Sequence, residues 1–204
     1  MPVVIVSGAL ANKPYNGGNA WSRLSWLHGF RQLGFDVHFV EQIGRDACTD
    51  SNGQICPFKR SINLEFFQKV MSQFGLTEVS SLIYRDGQEV HGLPIQALAA
   101  LAQRGSLLFN LGGHLVLPQI RDKVTCKVYY DDDPGFTQFW HASGNPGARL
   151  WDHDFYFTIG ENIGKPGCPI PTGGLTWHHT RVPVVLDDWP LAPVERFDRF
   201  TATG

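Results

Sequence analysis

The sequence predicts an α/β fold built on a doubly wound, mainly parallel sheet, and three observations carry that expectation. The stretch from Val3 to Val40 reads as an apolar run VVIVSGAL, a loop ANKPYNGGNA, a helical WSRLSWLHGFRQLGF and a second apolar run DVHFV. A buried strand, a glycine-bearing loop, a helix and a second strand form the opening βαβ unit of such a sheet. Three later apolar runs, SLLFNLGG, TCKVYYDD and DFYFTIGEN, each end in glycine or polar residues, as parallel strands covered on both faces do. Helical patterns lie between, in NLEFFQKVMSQFG and LPIQALAALAQRG.

Taken in order, MPVVIVSGAL is too short and lacks the basic lead of a signal peptide, so it reads as a buried strand of a cytoplasmic protein. The helix after it ends near Gly34. Residues 46–60 are rich in turn formers and read as a surface loop before the second helix, which ends at Gly75. SSLIYRDGQEVHG alternates apolar and polar residues about Asp86-Gly87, a dipeptide suited to a two-residue type I′ turn, and so predicts a small hairpin decorating the sheet, with His91 in a structural role. The third helix ends at Arg104-Gly105 and delivers the chain to the strand SLLFNLGG. After Cys168 the composition turns proline-rich, which predicts an extended segment along the domain edge. His178 and His179 are adjacent and alternate sides of a strand, so they do not share one metal.

Composition narrows the partners. A chain of 204 residues that is 43% hydrophobic can bury a full core and suits one domain better than two. The formal charge of −2, with 17 Lys and Arg scattered along the chain, supplies no basic stripe for nucleic acid, and no run is long and apolar enough for a transmembrane segment. Cys48, Cys56, Cys126 and Cys168 show no C-x-x-C pair and read as free thiols, although Cys48 and Cys56 can in principle meet across the SNGQ loop.

The loop lacks the G-x-G-x-x-G dinucleotide fingerprint and carries instead a glycine pair far from Gly8. The pattern GGNAWSRLSWLHGFRQLGFDVHFVEQ resembles the opening of GT-B-fold glycosyltransferases of the glycogen-synthase-like type, through Gly17, Gly18, Leu27, Leu33, Gly34, Val37 and Phe39. The resemblance implies a Rossmann-like α/β domain, one half of a GT-B fold. Residues 1–190 would form the amino-terminal, acceptor-side domain, and 191–204 a linker and the start of a missing carboxyl-terminal domain, whose first strand RFTATG resembles. It further implies transfer of a sugar from a nucleotide-sugar donor to a hydroxyl of a small molecule or glycan, without a cofactor. The fragment alone would be inactive. A stand-alone metabolite-binding or regulatory α/β domain, and half of a nucleotide-sugar epimerase, are the competing readings.

Ligands of open α/β sheets lie outside the carboxyl ends of the strands, which directs attention to particular residues. Between the first loop and the helix start, Asn16, Gly17, Gly18 and Asn19 either make a tight turn or let the unpaired N–H groups of the helix start approach a donor phosphate. His114, behind Gly112-Gly113, is either a general base or hydroxyl partner, or else a loop histidine capping local carbonyls. Asp131-Asp132-Asp133-Pro134 is either a solvated strand exit or a source of an acceptor base, from Asp131 or Asp133. The D-x-D spacing of that pair invites a metal, but the resemblance implies phosphates held without one. Glu161 and Asn162 follow the strand FYFTI and would face the donor across a cleft. Phe136, Phe139, Trp140, His141 and Trp151 read as core beneath a loop, the alternative being rings that stack on a sugar or polyketide-like acceptor at the crevice.

Overall fold

The computed structural model describes residues 1–191; of the segment expected to open a second domain, all but Leu191 lies outside the described residues. The elements in chain order are β1 (Val3–Ser7), α1 (Gly17–Gln32), β2 (Asp36–Ile43), α2 (Ile62–Gln73), β3 (Ser80–Tyr84), β4 (Glu89–His91) and α3 (Ile95–Arg104). β5 (Gly105–Leu111), α4 (Pro118–Arg121), β6 (Lys127–Asp131), α5 (Phe136–Ala142), β7 (Phe155–Thr158) and β8 (Trp177–His179) follow. One sheet in the order β4-β3-β2-β1-β5-β6-β7-β8 joins all eight strands, parallel throughout except for the β3–β4 pair. The fold is therefore Rossmann-like α/β. The chain winds outward from β1 to β3, then returns to lay β5 against the other side of β1. That reversal makes the gap between the carboxyl ends of β1 and β5 the topological switch point.

Alternation along β1 divides the core between the two faces. Val4 and Val6 join the layer under α1 and α2, with Leu24, Leu27, Phe39 and Phe67; Val3 and Ile5 join the layer under α3 and α4, with Leu98, Leu101 and Ile120. A third cluster, around Tyr129, Leu150, Ile163 and Trp177, seals the β6–β8 end. Asn16 caps α1, Ser61 caps α2, and Gly34 ends α1 in the left-handed conformation (φ 83°) with its N–H on Arg31 O.

Four local expectations are corrected. The first loop is shorter than ANKPYNGGNA: the glycine pair does stand at the helix start, but as the first turn of α1 itself, which starts before Trp21 because Asn16 supplies the cap. The predicted hairpin is no decoration, since β3 is a buried parallel neighbour of β2 and only β4 is an antiparallel edge. Its connection is also longer, running over Arg85–Gln88 with Arg85 and Gly87 both at positive φ (55° and 96°), rather than a two-residue turn at Asp86-Gly87. Within 46–60, Cys48 and Phe58 are buried in the α1–α2 layer, so this segment is partly core. The four thiols are free, and the segment after Cys168 is extended, adding β8 beside β7.

A buried carboxylate fixes the exit from β1. Glu41, fully buried on β2, accepts from the N–H groups of Leu10 and Ala11 on Oε2 (2.9 and 2.7 Å) and of Asn12 on Oε1 (2.9 Å). Asn63 of α2 adds a bond from Nδ2 to Ala11 O at 2.8 Å. Burial pushes the Glu41 carboxyl up to about 7, against the pull of those three amides and of Arg23. Glu41→Gln presents amide protons to backbone N–H groups, and it should lower the unfolding free energy by about 1–3 kcal/mol in chemical denaturation. A variant as stable as the parent would remove Glu41 from this role.

Candidate ligand cleft at the switch point

The loops after β1, β5 and β6 enclose a cleft of about 610 Å³. Lys13, Asn16, Gly18, Asn19, Ser22 and Arg23 line it from the β1–α1 side; Gly112, His114, Tyr129, Asp132, Asp133, Thr137, Trp140 and Arg149 line it from the β5–β6 side. A crevice at this position follows from the winding of the sheet, because the connections from β1 and β5 diverge to opposite faces.

The β1–α1 wall is built to meet negative charge. Asn16 Oδ1 accepts from Asn19 N at 3.0 Å, and Asn19 Nδ2 in turn donates to Ala9 O. A side chain at Gly17 would meet nothing within 4 Å, and one at Gly18 only Asn16 Oδ1 at 3.9 Å, so the first turn of α1 presents bare backbone to open space. First-turn N–H groups have no intrahelical acceptor and carry the positive end of the helix dipole; no acidic side chain occupies that turn. Lys13 adds a side-chain cation. Arg23, only 4% exposed, crosses over Gly8, where a Cβ would come within 3.2 Å of its Nε. Its Nη1 pairs with Asp132 Oδ2 at 2.9 Å, tying α1 to the exit of β6.

The three successive aspartates have separate surroundings. Asp131 is 1% exposed and accepts from Thr137 Oγ1 (2.8 Å), Gln138 Nε2 (2.8 Å), Thr158 Oγ1 (2.7 Å) and Asp133 N (3.1 Å). Both its oxygens are engaged beneath the cleft, which makes it the tie between β6, α5 and β7 rather than an acceptor base. Asp132 holds Arg23. Asp133 lines the cleft and has no ion-pair partner among the described residues. With Asp131 saturated, the D-x-D pair cannot chelate a cation jointly, and no group of three or more His, Cys, Asp or Glu side chains converges among the described residues.

His114 also changes role. Arg149 Nη1 donates to His114 Nδ1 at 2.8 Å, so the ring proton resides on Nε2 and the imidazole is a donor, not a base. Burial first, then the positive charges of Arg149, Arg23 and Lys13, push its pKa down to about 3. Gly113 (φ 65°) leaves no room for a side chain, since a Cβ would lie 2.8 Å from Arg149 Cβ and 3.0 Å from Tyr129 Cε2.

Of the residues expected at the site, Asn16, Gly18, Asn19, Gly112, His114 and Asp133 line the cleft; Gly17 opens α1 next to Asn16 and Gly18, and Gly113 and Asp131 support the β5–β6 wall. Glu161 and Asn162 lie outside it. Glu161 is on the surface, bonded to Arg181 at 2.7 Å, and Asn162 borders a separate depression with Lys165 and Cys168. The aromatic cluster is not core, for Phe136, Phe139, Trp140 and Trp151 are all exposed and Trp140 faces the cleft. Sequence reasoning missed Lys13, Arg23, Asp132 and Arg149. Arg23 alone had a local signal, a lone cation on the buried stripe formed with Ala20, Leu24 and Leu27. No protein-family model matches this chain, and no curated protein does. No helix among the described residues is long and apolar enough to cross a membrane.

The depressed His114 pKa has a definite sign. Stability linked to the neutral ring is present above its ordinary value of 6.5 and is lost as pH falls toward 3. Long-range ¹H–¹⁵N spectra should show His114 as the neutral Nε2–H form down to about pH 5. Titration near 6.5 would contradict the Arg149 hydrogen bond.

Proposed function

We propose that this chain is the acceptor-side, amino-terminal half of a GT-B-fold glycosyltransferase of glycogen-synthase-like type, transferring a sugar from a nucleotide-sugar donor to a hydroxyl. The observation that carries the reading is the pairing, across one switch-point cleft, of a bare helix N-terminus beside Lys13 with the Asp133 carboxylate. The first is chemistry for a leaving diphosphate, the second for an attacking hydroxyl. The resemblance of residues 17–42 to the family opening points the same way. A carboxyl-terminal half would supply the remaining nucleotide contacts, and the free thiols suit a cytoplasmic setting.

In this reading the acceptor oxygen attacks the anomeric carbon of the donor and its proton passes to Asp133. The bond to the nucleoside diphosphate breaks, and the departing oxyanion is stabilised by the N–H groups of Gly17 and Gly18 and by Lys13. His114 Nε2–H donates to an acceptor oxygen and orients it. Asp131 acts as a positioning residue, holding the turn that carries Asp133.

The test is transfer by an enzyme containing both halves, assayed against a panel of nucleotide sugars. Asp133→Asn should lower kcat by about 10²–10⁴-fold with its melting temperature unchanged, whereas Asp131→Asn should lower the melting temperature. Absence of turnover with every nucleotide sugar refutes the reading; full turnover by Asp133→Asn refutes its base.

A further inference from the structure

Three observations meet at Arg149. Its backbone is left-handed (φ 50°), a conformation a non-glycine residue keeps only where its surroundings over-determine it. Here they do: Tyr129 Oη donates to Ala148 O at 2.9 Å, Gly147 N donates to Asn145 Oδ1 at 2.8 Å, and Gly113 packs with bare backbone against Arg149 itself. The guanidinium is also spent on a neutral acceptor, His114 Nδ1, while no carboxylate pairs with it among the described residues. Of the three aspartates at the exit of β6, Asp131 is held by its four donors and Asp132 by Arg23, and Asp133 lines the cleft without pairing with Arg149.

A fixed cation whose charge is left uncompensated in a cleft is an arrangement that a ligand anion completes. The bond to Nδ1 has a second effect, since it leaves His114 with a proton on Nε2. Two kinds of donor, guanidinium N–H and imidazole N–H, then serve the β5–β6 wall. Trp140, 44% exposed and lining the same cleft, supplies aromatic surface against which a ring can pack.

We propose that Arg149 and His114 Nε2–H form an oxyanion subsite, so that the acceptor is a hydroxylated ring compound bearing a phosphomonoester or a carboxylate. This rests on the reading of the β5–β6 side as the acceptor wall. It is separate from the α1 N-terminus and Lys13, which serve the donor phosphates.

Calorimetric titration of the full chain with glucose 6-phosphate, glucuronate and glucose, at low ionic strength, tests the subsite without any transfer reaction. At least one of the two anions should bind about tenfold or more tightly than glucose, and which one does so identifies the charged group. Arg149→Gln should abolish that preference, Arg149→Lys should retain part of it, and Lys69→Gln, exposed on α2 and outside the cleft, should leave it intact, with thermal melts verifying the fold of each variant. Equal binding of glucose and both anions, no binding of any of the three, or a preference that survives in Arg149→Gln or disappears in Lys69→Gln overturns the proposal. An anion preference in a protein whose two-half form turns over no nucleotide sugar would sink the transferase reading while sparing the subsite.

Discussion

The cleft depends on one buried carboxylate. Glu41 collects three consecutive N–H groups as the chain leaves β1, so the loop that follows has no freedom in its first steps. Lys13, the Asn16 cap and the open first turn of α1 all come after that fixed point. A carboxylate stripped of water is costly to bury, and here the backbone of the site replaces the water. The same three amides would otherwise form an anion-binding concavity of their own; filled from within, they leave the next set of N–H groups, at Gly17 and Gly18, as the ones exposed to ligand.

From that anchor the opposite wall follows by sheet register. β6 lies beside β5, so the Asp131–Asp133 turn emerges next to Gly112–His114. Three aspartates in a row would repel one another if all faced solvent together, but each has a separate partner field: four donors for Asp131, Arg23 for Asp132, the cleft for Asp133. The ion pair between Arg23 and Asp132 bridges the two walls, joining α1 to the exit of β6. Beyond β8 the chain turns back over α1, where His28 Nδ1 meets Asp188 Oδ2 at 2.7 Å and Trp189 packs on Trp21 at 4.8 Å. The outermost strand and the helix at the cleft are thereby tied to each other.

Sheet and helices were legible because buried strands and helix caps have local signatures: VVIVS, NLEFF and KVYYD each carry their own period and boundaries. The rule that sites lie at strand ends led to Gly112, His114 and Asp133. Roles were less legible. Nothing local says that Asp131 rather than Asp133 is saturated, since its partners Thr137, Gln138 and Thr158 come from two later elements. Arg149 is 35 residues from His114, and their bond exists only once β5, β6 and the turn before β7 are assembled. The aromatic run misled for the opposite reason: apolar side chains suggest core, yet the short α5 lies at the rim, with Phe136, Phe139 and Trp140 turned outward.

Backbone chemical-shift mapping of the chain titrated with a nucleoside diphosphate probes the switch-point cleft most directly. The account predicts that perturbations gather at residues 13–23, with weaker ones at 112–114 and 132–137. Perturbations confined to the surface around Glu161 and Arg181, or none at saturating ligand, would contradict it.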